Sequence, residues 1–249
     1  QPITAPQELE ILIRARYAII YVVSWEENRV EQQLRDIAER RKKQLLCWSV
    51  TTGMTKSGSP TSAPRQKGLA DPIEALDTVI ENKEPAIYLF KDFHPFMRMR
   101  DSNVAVIRKL REVATALSDS YKTLVISSPL VDISSELEKV VTVLDYPLPD
   151  SHDFDKLLRR ICDDVAAHST LKISLTQDDR EKLIQAALGL TLQEAENVFA
   201  KTIVTDGHLA ADDLSVVFSE KQQIIRKSGL LEYYESATDV SDVGGLDLL

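Results

Sequence analysis

Phosphate chemistry on an α/β scaffold needs a glycine-rich turn between a strand and a helix, so that backbone amides can wrap the phosphates. It also needs a lysine to reach the terminal phosphate and a Ser or Thr to hold magnesium. The first strand-like run of this chain leads instead into Ser24-Trp25-Glu26-Glu27-Asn28-Arg29. No glycine precedes position 53 and no lysine precedes position 42. Glu26 and Glu27 bring negative charge to a helix start, where they can answer the helix dipole themselves and repel a phosphate. Further on, Ile87-Tyr88-Leu89-Phe90 ends in Lys91-Asp92. Nucleotide hydrolysis wants an Asp at the first of these places to organise magnesium and a Glu at the second to polarise water. A lysine repels the metal, and Asp92 reads as a surface or salt-bridged carboxylate. A later strand ends in Ser127-Ser128-Pro129, where a polar residue would sense the terminal phosphate, and residues 128–139 hold no arginine to act in trans. The set lacks its main parts, so no catalytic residue and no bound cofactor are expected within this chain.

Other constellations offer less. Glu26, Asp92 and Asp132 at strand ends could share one magnesium ion, as in some nucleases. Residues 53–60 contain Gly, Lys and Ser, but not in phosphate-loop order. Ser, His and Asp are scattered without nucleophile-elbow glycines. His94, His152, His168 and His208 have no metal-ligand spacing, so no metal site is expected. Trp25, Lys91, Asp92 and Ser128 would line a pocket at the carboxyl edge of a sheet, a place where α/β proteins bind small molecules.

The elements that would hold these residues are legible as short apolar runs. Ala18 to Val23, Leu45 to Val50, Ala86 to Phe90, Thr123 to Ser127 and Val140 to Leu144 are mostly continuously apolar, which predicts strands buried on both faces of a parallel sheet. Helical spacing lies between them: Val30, Leu34, Ile37 and Ala38; then Ile73, Leu76, Val79 and Ile80 after the cap-and-first-turn pair Asp71-Pro72; then Val104, Ile107, Leu110, Ala114 and Leu117. Residues 53–70 combine Gly, Ser, Thr and Pro and read as a surface excursion. After Pro149 strands vanish. Phe154, Leu157, Leu158, Ile161 and Val165 mark one helix. Thr176 with Asp179, and Thr191 with Glu194, mark two helix starts, and Gly189 and Gly229 mark helix ends. The expected fold is α/β: a five-stranded parallel sheet with flanking helices, followed by a small all-helical lid. The expected domains are 1–149, 150–230 and a linker 231–249 leading into a core beyond this chain. That succession is the layout of an AAA module, here degenerate and without a P-loop.

The chain has 249 residues and a net charge of −9 from 30 basic and 39 acidic side chains. An acidic surface disfavours sequence-independent nucleic-acid binding. Local basic patches remain: Arg40, Arg41, Lys42 and Lys43, and later Arg98, Arg100, Arg108, Lys109 and Arg111. They read as solvated helix faces or as a protein or RNA contact. No run of about 18 apolar residues occurs, so no membrane insertion is expected. No secretory leader is visible, and Gln1 rather than Met opens the chain, which leaves room for residues upstream. Cys47 and Cys162 sit far apart in apolar patterns, which fits a reducing cytoplasm or plastid stroma.

Several stretches resemble the N-terminal region of the AAA-type ATPases encoded in algal plastids and cyanobacteria. Tyr21-Val-Val-Ser24-Trp25-Glu26-Glu27 is similar to that family's opening strand. Ser135-Glu-Leu-Glu-Lys139 through Tyr146-Pro-Leu-Pro149 looks like the passage between the fourth and fifth AAA strands. Gly189-Leu-Thr191 with Glu194-Ala-Glu-Asn197, and Glu220-Lys221 to Gly229-Leu-Leu-Glu232-Tyr233, are similar to the lid region. Asp242-Val-Gly-Gly-Leu246 matches the segment that precedes a full AAA core. The resemblance implies a ring-forming ATPase whose ATP and magnesium sites lie beyond Leu249, with this part as an inactive AAA-like domain that has protein partners. It also implies a link to photosynthesis or inorganic-carbon use.

Three functions follow as expectations: a regulatory or substrate-recruiting module; a binding domain for a metabolite or nucleotide at the sheet edge; and a magnesium-dependent enzyme on Glu26, Asp92 and Asp132.

Overall fold

A helix at the start of the chain is not among the expected elements, although its signals are present. Thr4 caps it, with its backbone N–H donating to Gln7 Oε1 at 3.0 Å. Pro6 supplies a preset φ in the first turn. This helix, α1 (Ala5–Arg14), buries Leu9, Leu12 and Ile13. The computed structural model describes residues 3–58, 70–98, 103–168, 175–206 and 214–227. They fall into two compact units, residues 1–148 and 149–249.

In the first unit the order continues β1 (Ile19–Val23), α2 (Glu27–Arg41), β2 (Gln44–Ser49), β3 (Gly53–Lys56), α3 (Pro72–Glu81), β4 (Ala86–Lys91), α4 (Val104–Ser118), β5 (Thr123–Ser128) and β6 (Val141–Asp145). The sheet order is β3-β2-β4-β5-β1-β6. All neighbours are parallel except β2 and β3, which are antiparallel with Trp48 opposite Met54. The expected five-stranded parallel sheet is therefore six-stranded and mixed. The additional strand hides in the polar stretch after β2. There the chain turns back on itself at Gly53, whose φ is 71°. That left-handed conformation is open to glycine at no steric cost. Residues 59–69 of the expected surface loop lie outside the described residues.

Period-two alternation sends successive strand residues to opposite faces, and both faces are covered. Tyr21, Trp48, Tyr88, Phe90, Leu124 and Ile126 pack with α3 and α4, through Leu76, Val79, Leu110 and Leu117. Ile20, Val22, Leu45, Ile87, Leu89 and Val125 pack with α1 and α2, through Leu9, Ile13, Val30, Leu34 and Ile37. Each such aliphatic side chain contributes about 1.5–3 kcal/mol on burial. Helix α3 begins as its sequence dictates, with Asp71 accepting from the N–H groups of Ile73 at 2.8 Å and Glu74 at 3.1 Å. Those bonds satisfy two of the donors that a helix start leaves open.

The second unit holds α5 (Ser151–His168), α6 (Gln177–Ala187), α7 (Leu192–Asp206) and α8 (Leu214–Lys227) around Phe154, Leu158, Leu183, Phe199 and Val217. Reciprocal bonds between Thr176 and Asp179, and between Thr191 and Glu194, start α6 and α7. Gly229 and the linker 231–249 lie outside the described residues. Among the described residues no helix is long and apolar enough to cross a membrane.

Lys122, buried just before β5, closes α3. Its Nζ donates to the carbonyls of Val79 at 2.7 Å, Ile80 at 2.9 Å and Asn82 at 2.7 Å. Burial pulls its ammonium below the ordinary lysine range. Removing that donor leaves carbonyls in a nearly dry site, so Lys122→Met is expected to cost about 1–3 kcal/mol, read by urea unfolding. An unchanged midpoint would show that water replaces the bonds.

Candidate functional site

The turn from β1 into α2 is where a phosphate would sit, and its polar groups are engaged with one another. Ser24 N–H donates to the Ser128 carbonyl at 2.9 Å, and Glu26 N–H donates to Ser24 Oγ at 3.0 Å. The buried Glu26 carboxylate takes Arg29 Nη1 at 2.9 Å, which also donates to the Pro147 carbonyl at 2.7 Å. The Arg29 guanidinium lies 4.9 Å from the Tyr146 ring centroid. Trp25 stands out of this turn, 71% exposed.

Beyond the turn, Glu27 and Glu31 are four residues apart and so share one face of α2. Lys91, leaving β4, reaches both: its Nζ lies 2.9 Å from Glu27 Oε1 and 2.7 Å from Glu31 Oε2. Glu31 Oε1 accepts from Ser57 Oγ at 2.7 Å and from Arg35 Nη2 at 2.9 Å. Arg35 also donates to Ser57 Oγ, so Glu31 joins α2, β4 and the end of the β2–β3 hairpin. Burial pushes the Glu31 carboxyl up, but the bonds from Lys91 and Ser57 outweigh it and hold it below the usual value. Burial likewise pulls Lys91 down, while Glu31 and Glu27 more than offset this and raise it.

This cluster forms one wall of a cavity of about 430 Å³. Ser49, Thr51, Thr52 and Thr55 also line it, as do Asn28, Lys56 and Asp92. Asp92 has a φ of 51°. Asp tolerates that left-handed conformation better than most residues. Trp48, which also lines the cavity, stacks on Phe90 with ring centroids 5.1 Å apart. Cys47 also lines the cavity, but burial first and Glu31 second push its thiol up to about 12. It is therefore a poor nucleophile at neutral pH.

Of the four sequence-derived pocket residues, Lys91 and Asp92 share this cavity, while Trp25 and Ser128 are not among its lining residues. Ser128 is buried in its own turn, with Oγ 2.8 Å from His94 Nδ1 and donating to the Leu130 carbonyl at 3.1 Å. Nor are the three carboxylates of the magnesium reading gathered: Glu26 pairs with Arg29, Asp132 pairs with Arg98, and Asp92 faces the cavity. Among the described residues no group of three His, Cys, Asp or Glu could hold a metal ion. Sequence reasoning did not find Glu31, Ser57 or Arg35. The one available signal was the Glu27–Glu31 spacing, and its partner lies on another strand.

Comparisons with known proteins agree with this architecture. Residues 5–146 match the family described as SpoVK-like AAA ATPase, N-terminal domain, and residues 152–228 match SpoVK-like AAA ATPase, second domain. The AAA domain-containing protein ycf46 of Guillardia theta is 33% identical over 98% of this chain and 46% of its own length. That of Trieres chinensis is 30% identical over 97% of this chain and 46% of its own length. The chain thus spans about half the length of these curated relatives. Among solved structures, the FIGL-1 AAA domain in complex with ADP superposes with a TM-score of 0.55 at 13% identity, over 96% of this chain and 80% of that one. A chain of the HORMA:CdnC:Trip13 complex of E. coli MS115-1 gives 0.54 at 12% identity, over 86% of this chain and 74% of its own. At such identities the likeness is one of fold.

Glu31→Gln is expected to cost about 1–3 kcal/mol at pH 7, because Lys91 and Arg35 lose a charged acceptor. The carboxyl is held below its ordinary 4.5. Its contribution is therefore complete above that value and is lost as pH falls through the lower folded one. Guanidinium titrations at pH 7 and pH 4 should accordingly show a smaller gap between the two proteins at pH 4. A gap of equal size at both would rule out charge as its source.

Proposed function

The chain belongs to the SpoVK-like AAA ATPase family, and from that membership we propose that it is a non-catalytic regulatory and recruitment module of a longer AAA-type ATP-binding protein. The observation that carries this reading is the Lys91 clamp. The lysine at the place of a magnesium-organising Asp is held by Glu27 and Glu31, beside a turn that has Glu26 in place of a phosphate cradle. A phosphate entering this turn would have to displace Arg29 from Glu26 and Lys91 from Glu27 and Glu31, and it would find the local cations already taken.

In this reading residues 1–149 are a degenerate, P-loop-less AAA-like domain, 150–230 a lid-like helical domain and 231–249 a linker. ATP and magnesium belong to a catalytic core of the longer protein, in keeping with relatives about twice this length. The module passes nucleotide state to protein partners within a self-associated ring. The solved neighbours, an ADP-bound AAA domain and a chain from a multiprotein complex, support such a setting by fold. Plastid-encoded relatives support a place in a plastid stroma or a cyanobacterial cytoplasm, and a link to photosynthesis or inorganic-carbon use. A strain lacking the full-length protein is then expected to grow slowly only when inorganic carbon is limiting; equal slowing at high carbon dioxide would remove that link.

A second reading is favoured by the hydroxyl-walled cavity at Lys91 and Asp92, with its volume of about 430 Å³. Space of that order suits a small polar metabolite. Two measurements test the readings in turn. Calorimetric titration with ATP–magnesium is expected to give no binding up to millimolar concentration, and micromolar binding would end the inactive-domain reading. A thermal-shift panel of polar metabolites on the same protein supports the second reading only if a shift is seen and is lost in Asp92→Ala.

A further inference from the structure

The amino edge of the sheet gathers a run of cations at the ends of α1 and α2. α1 and α2 both end there, and β1, β2 and β5 all begin there. Arg16, left-handed with a φ of 62°, lays its guanidinium 4.3 Å from the centroid of the Tyr121 ring. Arg40 and Arg41 share the single carboxylate of Glu10. Lys42 and Lys43 follow, and Arg14 lies in the last turn of α1. Tyr17 and Tyr121 are 44% and 60% exposed at the same edge.

Helix C-termini attract cations, at about 0.3–1 kcal/mol each within the last turn. That accounts for Arg14, Arg40 and Arg41. Lys43 is different. It is half-buried beyond the end of α2, and its ammonium makes no hydrogen bond or ion pair among the described residues. Burial first, then the like charges of Arg16 and Arg41, pull its pKa down. A partly desolvated cation set among cations costs free energy in the isolated protein, and an incoming anion recovers it. In the second basic patch three of the described residues have partners: Arg98 pairs with Asp132, Arg108 with Glu112, and Lys109 with Asp77 and Glu112.

We infer that the edge formed by Arg16, Arg40, Arg41, Lys43 and Tyr121 is a docking surface for a carboxylate-rich segment of a partner protein. The chain's net charge of −9 argues for a short acidic peptide over nucleic acid. A long polyanion meets the repulsion of the whole surface, whereas a peptide confined to the patch is screened from the rest beyond about 8 Å. Exposed tyrosines and arginines are also the residue types that enrich protein interfaces.

The test is fluorescence anisotropy with a labelled six-residue peptide of alternating Glu and Asp, a Gly-Ser peptide of equal length and a long oligo-dT. The acidic peptide is expected to bind saturably, more weakly as salt rises, and about tenfold more weakly to the Arg16→Gln/Lys43→Gln double variant. The Gly-Ser peptide is expected not to bind, and oligo-dT to bind less tightly than the acidic peptide. No acidic-peptide binding, undiminished binding to the double variant, or tighter binding of oligo-dT would each overturn the inference. Lys43→Gln alone provides the folding control. Relief of like-charge repulsion should leave its melting temperature unchanged or raised, and a fall would mean that the ammonium is satisfied within the fold.

Discussion

A sheet covered by helices on both faces leaves its strands nowhere to put charge except their ends. β1, β4 and β5 are apolar along nearly their whole length, because residues on either face meet a packed helix layer. Ionisable groups are therefore displaced to the two edges, and the chemistry available to the α/β unit is edge chemistry. The exception within the sheet's surroundings is Lys122, which is buried because α3 ends over it with carbonyls to satisfy.

At the carboxyl edge that displacement produces a self-satisfied network. Glu31 stands at its centre, joining a helix, a strand end and a hairpin through Lys91, Arg35 and Ser57. Such a network gains specificity at the cost of openness: each donor and acceptor taken by the protein is one that a phosphate or a metal does not find. The amino edge has the opposite character. There Arg40 and Arg41 share one carboxylate, and the half-buried Lys43 ammonium makes no ion pair among the described residues. One edge is internally neutralised and the other is poised for an anion.

The family likeness acquires physical content from this contrast. The overall fold is shared with two solved structures at 12% and 13% identity. Layer packing needs only apolar residues of suitable size at the right period. Phosphate handling is more demanding, since it needs a glycine turn and specific charges at single positions. Substitution at those few positions alters what a site can hold and leaves the layers intact. The helical unit keeps its own local rules in the same way, with reciprocal Thr–Asp and Thr–Glu caps starting α6 and α7.

What the chain order alone determines here is whatever depends on near neighbours. Continuous apolar runs mark strands, Asp71-Pro72 and the two Thr-led caps mark helix starts, and the missing glycine before position 53 is visible by inspection. α1 was within reach by the same rules, through Thr4, Pro6 and the spacing of Leu9, Leu12 and Ile13. Strand β3 was not, because an edge strand packs on one side only and its turn chemistry looks like that of a loop. The grip of Glu31 on Lys91, the separation of Ser128 and Trp25 from the cavity, and the gathering of Arg16, Lys43 and Tyr121 at one edge belong to the tertiary structure alone. Each depends on the strand order β3-β2-β4-β5-β1-β6, which brings together residues far apart in the chain. That order is settled by how two helix layers share one sheet, and no local spacing encodes it.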